Sequence, residues 1–331
     1  MLNNLKYALL FVGFAILFSG CNSRKKDKDQ SIQLPLDISQ MSIAYNVLVN
    51  DEKDDYEVFT MNMDGSQKIN VTKLPGVEWT YASYGKNLYY ISDKDAKKRN
   101  YYLYKSDYLG RDIEKVGDLR LADSWMDFRK NGTEIIVNPH SSVDSVFYII
   151  NLKGEILQRL KTGLPLATDP IFVNKGTQVV FKGGTKKSKK EEGYKEELYL
   201  INEDGSGLTQ LTTYPESDDS APWYAYKAGP PNLHPTENFI SYASFQNGKY
   251  SLYGVTLDGQ KQWKLTENEL WEVYHDWSPD GKWLVTDVSN NEESHYDIAL
   301  INWETKAMTI LTDTTYQFQQ SPNFVIKNNR P

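Results

Sequence analysis

Residues 196–212 read EELYLINEDGSGLTQLT, two short β-forming runs on either side of Asp204-Gly205. Asp-Gly between alternating apolar runs is a strong hairpin signal, because the glycine takes the positive φ that a tight turn demands. A second stretch, HDWSPDGKWLVTDVS at 275–289, follows the same logic. Pro279 presets φ, Asp280 bonds back to the local backbone and Gly281 supplies the left-handed residue. The KWLVTDVS that follows is rich in β-formers and reads as a strand. A lone hairpin cannot bury both faces, so the fold is decided by whether these units recur.

They recur throughout the chain. Hairpins like that at 196–212 begin at Tyr56 (YEVFTMNMDGSQKINVT), Tyr101 (YYLYKSDYLGRDIEKVG), Ser145 (SVFYIINLKGEILQRL) and Tyr250 (YSLYGVTLDGQKQWKLT). A sixth, YDIALINWETKAMTILT from Tyr296, lacks the glycine. The turn positions Gly65, Gly110, Gly154, Gly205, Gly259 and Lys306 are spaced by 45, 44, 51, 54 and 47 residues. The unit at 275–289 recurs as YASYGKNLYYIS from Tyr81, FRKNGTEIIVN from Phe128, FVNKGTQVVFK from Phe172 and LHPTENFISYAS from Leu233. Four short strands per repeat make a propeller blade, and the count gives six. The N-terminal SIAYNVLVN (42–50) resembles the strand after the turn, while QQSPNF (319–324) resembles the turn without a complete strand behind it. Together they predict one blade closed by both chain ends, which removes open sheet edges. The expected fold is all-β, a six-bladed β-propeller.

The stretches MNMDGS, NEDGSGLTQLT and WSPDGKWLV resemble the TolB-type β-propeller repeat, over nearly all of residues 41–327. The resemblance implies a propeller used as a binding or scaffold module. TolB carries a further domain ahead of its propeller, where this sequence holds only the leader and tether described next.

The first twenty residues contain an apolar run, ALLFVGFAILFSG, too short for a transmembrane span and suited to a secretory signal. It ends at Cys21, the single cysteine of the chain. LFSGC (17–21) resembles the lipobox of bacterial lipoproteins, which implies cleavage before Cys21 and acylation there. The expected organisation is a signal peptide over 1–20, a polar tether over 21–40 and a propeller over 41–331. The basic CNSRKKDKD differs from the acid-rich surface-export tags of some bacterial lipoproteins. It favours the periplasmic face of the outer membrane in a bacterial envelope, with surface exposure as the alternative.

Of the 331 residues 40% are hydrophobic and 24% charged, ordinary for a globular protein. The formal net charge is −7, and −8 once residues 1–20 are removed with Lys6, which argues against nucleic acid as a partner. The mature chain has no cysteine pair for a disulfide. No Gly-rich phosphate loop, closely spaced His pair or GxSxG nucleophile elbow occurs, so no catalytic residue, metal or other cofactor is expected.

The loops leading into the innermost strands open at one mouth of the channel. Glu78, Trp79, Trp125, Asp169, Tyr274, His275 and Gln317 are expected there, with Met126, Pro170, Pro231 and Phe318 as the repeat equivalents of Trp79 and His275. The insertion TYPESDDSAPWYAYKAGPP (213–231) joins an outer strand to the next inner strand and should overhang the mouth as an acidic, aromatic lid bearing Trp223 and Tyr224. Rigid aromatic side chains suit a protein or glycan partner. The charged insertion GGTKKSKKEEGYKEE (183–197) reads as a solvated hairpin loop. His234 and His275 are expected at opposite ends of their strands, and His140 and His295 in outer connections. Two rival readings are a glycan-active enzyme similar to oligogalacturonate lyase, whose metal site is rich in histidine, and a sensor of small molecules or ions.

If Cys21 carries the lipid, Cys21→Ser moves the protein from the membrane fraction to the soluble fraction. Retention of Cys21→Ser in the membrane with an uncleaved N-terminus contradicts the lipoprotein reading.

Overall fold

A computed structural model describes residues 37–290 and 294–327. Cys21 and most of the predicted tether lie outside these residues. Among the described residues no helix is long and apolar enough to cross a membrane. Ahead of the first strand, Ile38–Gln40 form a 3-10 turn, capped by Asp37 through the Ser39 N–H at 3.0 Å.

Six four-stranded antiparallel sheets form the blades of a propeller. Blade 1 holds β1 (Met41–Asn50), β2 (Asp55–Asn62) and β3 (Ile69–Asn70). Blade 2 is β4 (Glu78–Tyr84), β5 (Asn87–Ser92), β6 (Tyr101–Asp107) and β7 (Glu114–Leu121). Blade 3 is β8 (Asp127–Arg129), β9 (Glu134–Val137), β10 (Phe147–Asn151) and β11 (Ile156–Leu160). Blade 4 is β12 (Leu166–Val173), β13 (Gln178–Gly184), β14 (Glu196–Asn202) and β15 (Thr209–Gln210). Blade 5 is β16 (Asn232–Leu233), β17 (Phe239–Gln246), β18 (Lys249–Thr256) and β19 (Gln262–Lys264). Blade 6 is β20 (Trp271–Trp277), β21 (Trp283–Ser289), β22 (Tyr296–Asn302) and β23 (Met308–Ile310). The final strand, β24 (Gln319–Ile326), returns to blade 1 and becomes its innermost strand.

Closure by the two chain ends is therefore present, with Met41 paired to Ile326 and Val47 to Gln319. One detail departs from expectation: Ser321-Pro322 is not a turn but lies inside β24, at an irregularity between Ala44 and Asn46 of β1. Proline donates no backbone hydrogen bond, so it fits a bulge where the ladder asks for none. Complete pairing resumes at Asn323 and runs to Ile326.

The hairpin glycines serve two purposes. Their φ values run from 70° to 84°, and Lys306 takes the same left-handed region at 61° in blade 6. Each glycine also abuts the outer strand region of the preceding blade. A Cβ on Gly205 would come within 3.2 Å of the Lys161 carbonyl, and one on Gly259 within 3.2 Å of the Leu211 carbonyl. The threonine that closes four of the six repeats has a purpose that the sequence alone does not declare. Thr72, Thr212, Thr266 and Thr312 each accept the backbone N–H of the third strand, from Val58, Leu198, Leu252 and Ile298 at 2.8–3.3 Å. Each then donates its hydroxyl to a carboxylate, Glu57, Glu197, Glu272 or Asp297. These hooks fasten the short outer strand, which has too few ladder bonds to hold itself.

The apolar core is divided among the blade interfaces. Six clusters of buried residues occur among the described residues, one between each pair of neighbours. Blade 1 and blade 6 share Met41, Ile43, Met61, Val285, Ile298 and Leu300. Removing β24 exposes the inner edge of β1 and strips Phe324 from this interface.

A chain truncated before Gln319 should aggregate or lose its cooperative thermal transition, measured by calorimetry and size-exclusion chromatography. An unchanged melting temperature contradicts closure as the source of stability.

Candidate functional site

Strand pairing fixes which residues of successive blades are equivalent. Trp277, Phe172, Phe128 and Leu233 each pair with the second residue of their second strand, Leu284, Val179, Ile135 and Ile240. Counting back from these, Trp125, Asp169, Pro230 and Tyr274 are equivalent, as are Met126, Pro170, Pro231 and His275. Blades 1 and 2 correct the sequence alignment. Phe324 pairs with Ile43 and Ser83 with Leu88, so the equivalents there are Ser321-Pro322 and Thr80-Tyr81, not Gln317-Phe318 and Glu78-Trp79. In blade 2 the cause is a shorter turn: Tyr84 pairs with Asn87 across Gly85 and Lys86 alone. In blade 1 the cause is the turn-like Ser321-Pro322 inside the strand.

At the mouth the aromatic residues form a continuous chain. Tyr56 lies on Trp79 at a ring separation of 4.7 Å, Tyr81 on Trp125 at 4.4 Å and Trp125 on Tyr274 at 4.9 Å. Blades 3 and 6 are opposite in a six-membered ring, so Trp125 and Tyr274 meet across the axis and block it. The Tyr274 and Tyr226 hydroxyls lie 3.1 Å apart.

A buried ion pair supports this closure. Asp169 accepts the Trp125 N–H at 3.1 Å and the Ser124 hydroxyl at 3.0 Å, and Lys182 Nζ lies 2.8 Å from its other oxygen. Burial opposes the charge on each, but the pairing prevails: Asp169 is held below the usual carboxylate range, and Lys182 is held above its ordinary value by Asp169 and Glu196. The Lys182 ammonium also stands 4.6 Å from the centre of the Tyr226 ring. Ammonium over an aromatic face is attractive, more so where water is excluded.

The charged insertion is a largely exposed hairpin loop, as expected, and two of its lysines also reach the same face. Lys189 from β13–β14 pairs with the buried Glu196 at 3.0 Å and lies 4.7 Å over the Tyr226 ring. Lys190 lies 4.5 Å over Trp223 of the 213–231 lid. The lid is anchored at its base: Tyr214 donates its hydroxyl to the Phe245 carbonyl at 2.6 Å, and Asp218 accepts the Asn247 N–H at 2.7 Å. Trp223 and Tyr224 are 59% and 58% exposed and pack edge to face at 5.7 Å.

The other expected residues are scattered. Glu78 is buried, accepting the Ser92 hydroxyl at 2.6 Å with its second oxygen unpartnered. His275 is buried with Nε2 2.7 Å from the Ser241 hydroxyl, in the channel wall rather than on the mouth. Gln317 is exposed and donates to the Ser294 carbonyl at 2.9 Å. His234 is buried beside the Trp277 ring at 4.3 Å, accepting the Glu237 N–H at 3.0 Å. His140 lies 3.2 Å from Arg120, and His295 lies 3.1 Å from Asp297. Sequence reasoning missed Tyr81, Lys182, Lys189, Lys190 and Glu196. The one signal available was Lys182 itself, a lysine placed next to Phe181 within an apolar strand.

No family model and no curated protein sequence matches the chain. Solved structures do. TolB from Acinetobacter baumannii superposes with a TM-score of 0.66 at 14% identity, covering 87% of this chain and 67% of that one. The chain has the fold of the TolB propeller. A putative TolB from Agrobacterium tumefaciens gives a TM-score of 0.58 at 13% identity, covering 85% and 91% of the two chains. A chain of the nidogen–laminin complex gives 0.58 at 9% identity, covering 87% and 99%. At these identities the likeness is one of fold.

Buried carboxyls make the fold sensitive to pH. Burial pushes Glu78 up to about 8 and Asp287 up to about 7. In the native state each holds a proton that the unfolded chain, with carboxyls near ~4, has released. Their contribution is full below about pH 4 and is lost as pH rises through the native values. The melting temperature should therefore fall between about pH 6.5 and 8, and Glu78→Gln, which mimics the protonated acid, should flatten that slope. A melting temperature that rises over this window contradicts the assignment.

Proposed function

We propose that this chain is a non-catalytic binding module of the bacterial cell envelope. A lipid on Cys21 tethers it, with the periplasmic face of the outer membrane as its station. Its partner docks on the lid face above the blocked channel mouth. The observation that carries this reading is the pair Trp223 and Tyr224, more exposed than any other large apolar side chain among the described residues. They project from a loop held at its base by side-chain hydrogen bonds, so the pair is preorganised. Exposed, rigid aromatic residues are the type that dominates binding energy at interfaces.

Geometry favours a protein over a glycan. Sugar stacking needs an open, flat aromatic face. Here Lys190 stands over the Trp223 ring, and Tyr224 meets it at an interplanar angle of 90°. An aromatic knob with Lys190 over one ring, on a loop that also carries Asp218 and Asp219, matches the apolar centre and polar rim of protein interfaces. The resemblance to the TolB repeat, and the fold shared with TolB, support the reading of a scaffold.

Crosslinking in intact envelopes, followed by purification of the chain, tests this. Trp223→Ala combined with Tyr224→Ala should reduce recovery of the captured protein at least about tenfold, since hot-spot truncations cost about 2 kcal/mol or more each. The melting temperature should stay within a degree or two of the parent. Undiminished recovery, or recovery of glycan alone, contradicts the proposal.

A further inference from the structure

Behind the aromatic closure the channel holds a cavity of about 120 Å³, lined from every blade. The residue after the His275 position in each blade forms a ring there: Asn323, Ala82, Asp127, Ile171, Asn232 and Asp276 for blades 1 to 6. Asp127 and Asp276 belong to opposite blades and face one another across the axis. Asp127 accepts the N–H groups of Phe128 and Phe172, both at 2.7 Å. Asp276 accepts those of Trp277 and Phe324, both at 2.8 Å. These bonds pin the carboxylates to the next blade and leave a lone pair on each oxygen. Among the described residues no lysine or arginine pairs with either carboxyl.

A second observation points to a ligand. Asn323 is 7% exposed and lines the cavity, and neither atom of its amide has a partner. Ser321 is 3% exposed, and its hydroxyl is likewise unpartnered. The equivalent amide of Asn232 donates to the His275 carbonyl at 2.7 Å, so a satisfied version of the same position exists in this ring. Buried polar atoms left without partners are costly, and a bound ion or water relieves the cost.

The available donors are all oxygen. His275 contributes no nitrogen, since Nε2 lies 2.7 Å from the Ser241 hydroxyl and Nδ1 lies 3.4 Å from the Val273 carbonyl. Among the described residues no three His, Cys, Asp or Glu side chains converge as metal ligands. The set is thus two carboxylates, an amide oxygen and a hydroxyl. Hard oxygen donors select calcium-like ions over zinc, and such ions complete their shells with water. Two carboxylates match the charge of one divalent cation. The volume is well above the ~10–15 Å³ that a single water requires.

We propose that the channel cavity is a divalent-cation site of calcium type, held by Asp127, Asp276 and Asn323, with Ser321 and water completing the shell. The ion ties blades 1, 3 and 6 together across the axis and braces the closing blade against the opposite side of the ring.

The purified full chain, stripped with chelator, is titrated with CaCl2 while its melting temperature is followed. Saturating calcium should raise it by about 4 °C. Asn323→Leu should abolish that shift and leave the melting temperature in chelator unchanged or higher. Terbium luminescence gives a second readout that is independent of that variant. Trp125 lines the cavity, so indole excitation should sensitise bound terbium, calcium should compete it away, and Trp125→Phe should remove most of the signal. No thermal shift with calcium or magnesium means that the cavity holds water alone and overturns the proposal. A shift that survives Asn323→Leu, or calcium-competed luminescence unchanged in Trp125→Phe, places the ion elsewhere and overturns it equally.

Discussion

The pairing of β24 with β1 is the contact on which the ring depends. The apolar core is divided among six separate interfaces, each between two neighbouring blades. Without closure, the chain is an arc with a bare blade face at each end. Pairing Met41 with Ile326 removes both faces at once and joins residues from opposite ends of the propeller. The loop-closure entropy of so long a connection grows only logarithmically with length, so a strand of eight residues suffices to hold it.

Closure also sets the geometry of the channel. Most of the innermost strands bulge, and the bulge turns side chains onto the axis at two levels. At the outer level Trp125 and Tyr274 meet and seal the opening, with Asp169 and Lys182 locked behind them. At the inner level the ring from Asn323 to Asp276 encloses a polar void. Side chains stitch neighbouring blades between these levels. Asn46 exchanges two hydrogen bonds with the Thr80 backbone at 2.8 and 3.2 Å, and Asp287 accepts the N–H groups of Tyr274 and Ser321, both at 3.0 Å. A sealed mouth gives a partner a surface to sit on rather than a tunnel to enter. That is the physical ground for proposing the exposed lid, rather than the channel, as the docking face.

Much of this was legible in the sequence, and the failures have physical causes. The hairpin glycines, the blade count and the shared closing blade follow from short-range turn chemistry and period. The repeated terminal threonine was visible as a pattern, but its bond to the third strand joins residues fourteen apart and has no local signature. The misplacement of Gln317 and Glu78 came from treating Ser321-Pro322 as a turn and from the shortened Gly85-Lys86 turn; proline fits a turn and a bulge equally well. The ring contacts of Lys189 and Lys190 were not legible, because charge runs are usually only solvated. Their approach to Tyr226 and Trp223 is a contact between two loops that sequence separation conceals.

The central claim is that partners dock on the lid face. Site-specific photocrosslinking in living cells tests it most directly, with a photoreactive residue at Tyr224 and a matched one at Leu157, an exposed apolar residue on an outer strand of blade 3. The account predicts a discrete protein adduct from position 224 and none from 157. An adduct from 157 alone, or none from 224 in cells where the chain is anchored, contradicts it.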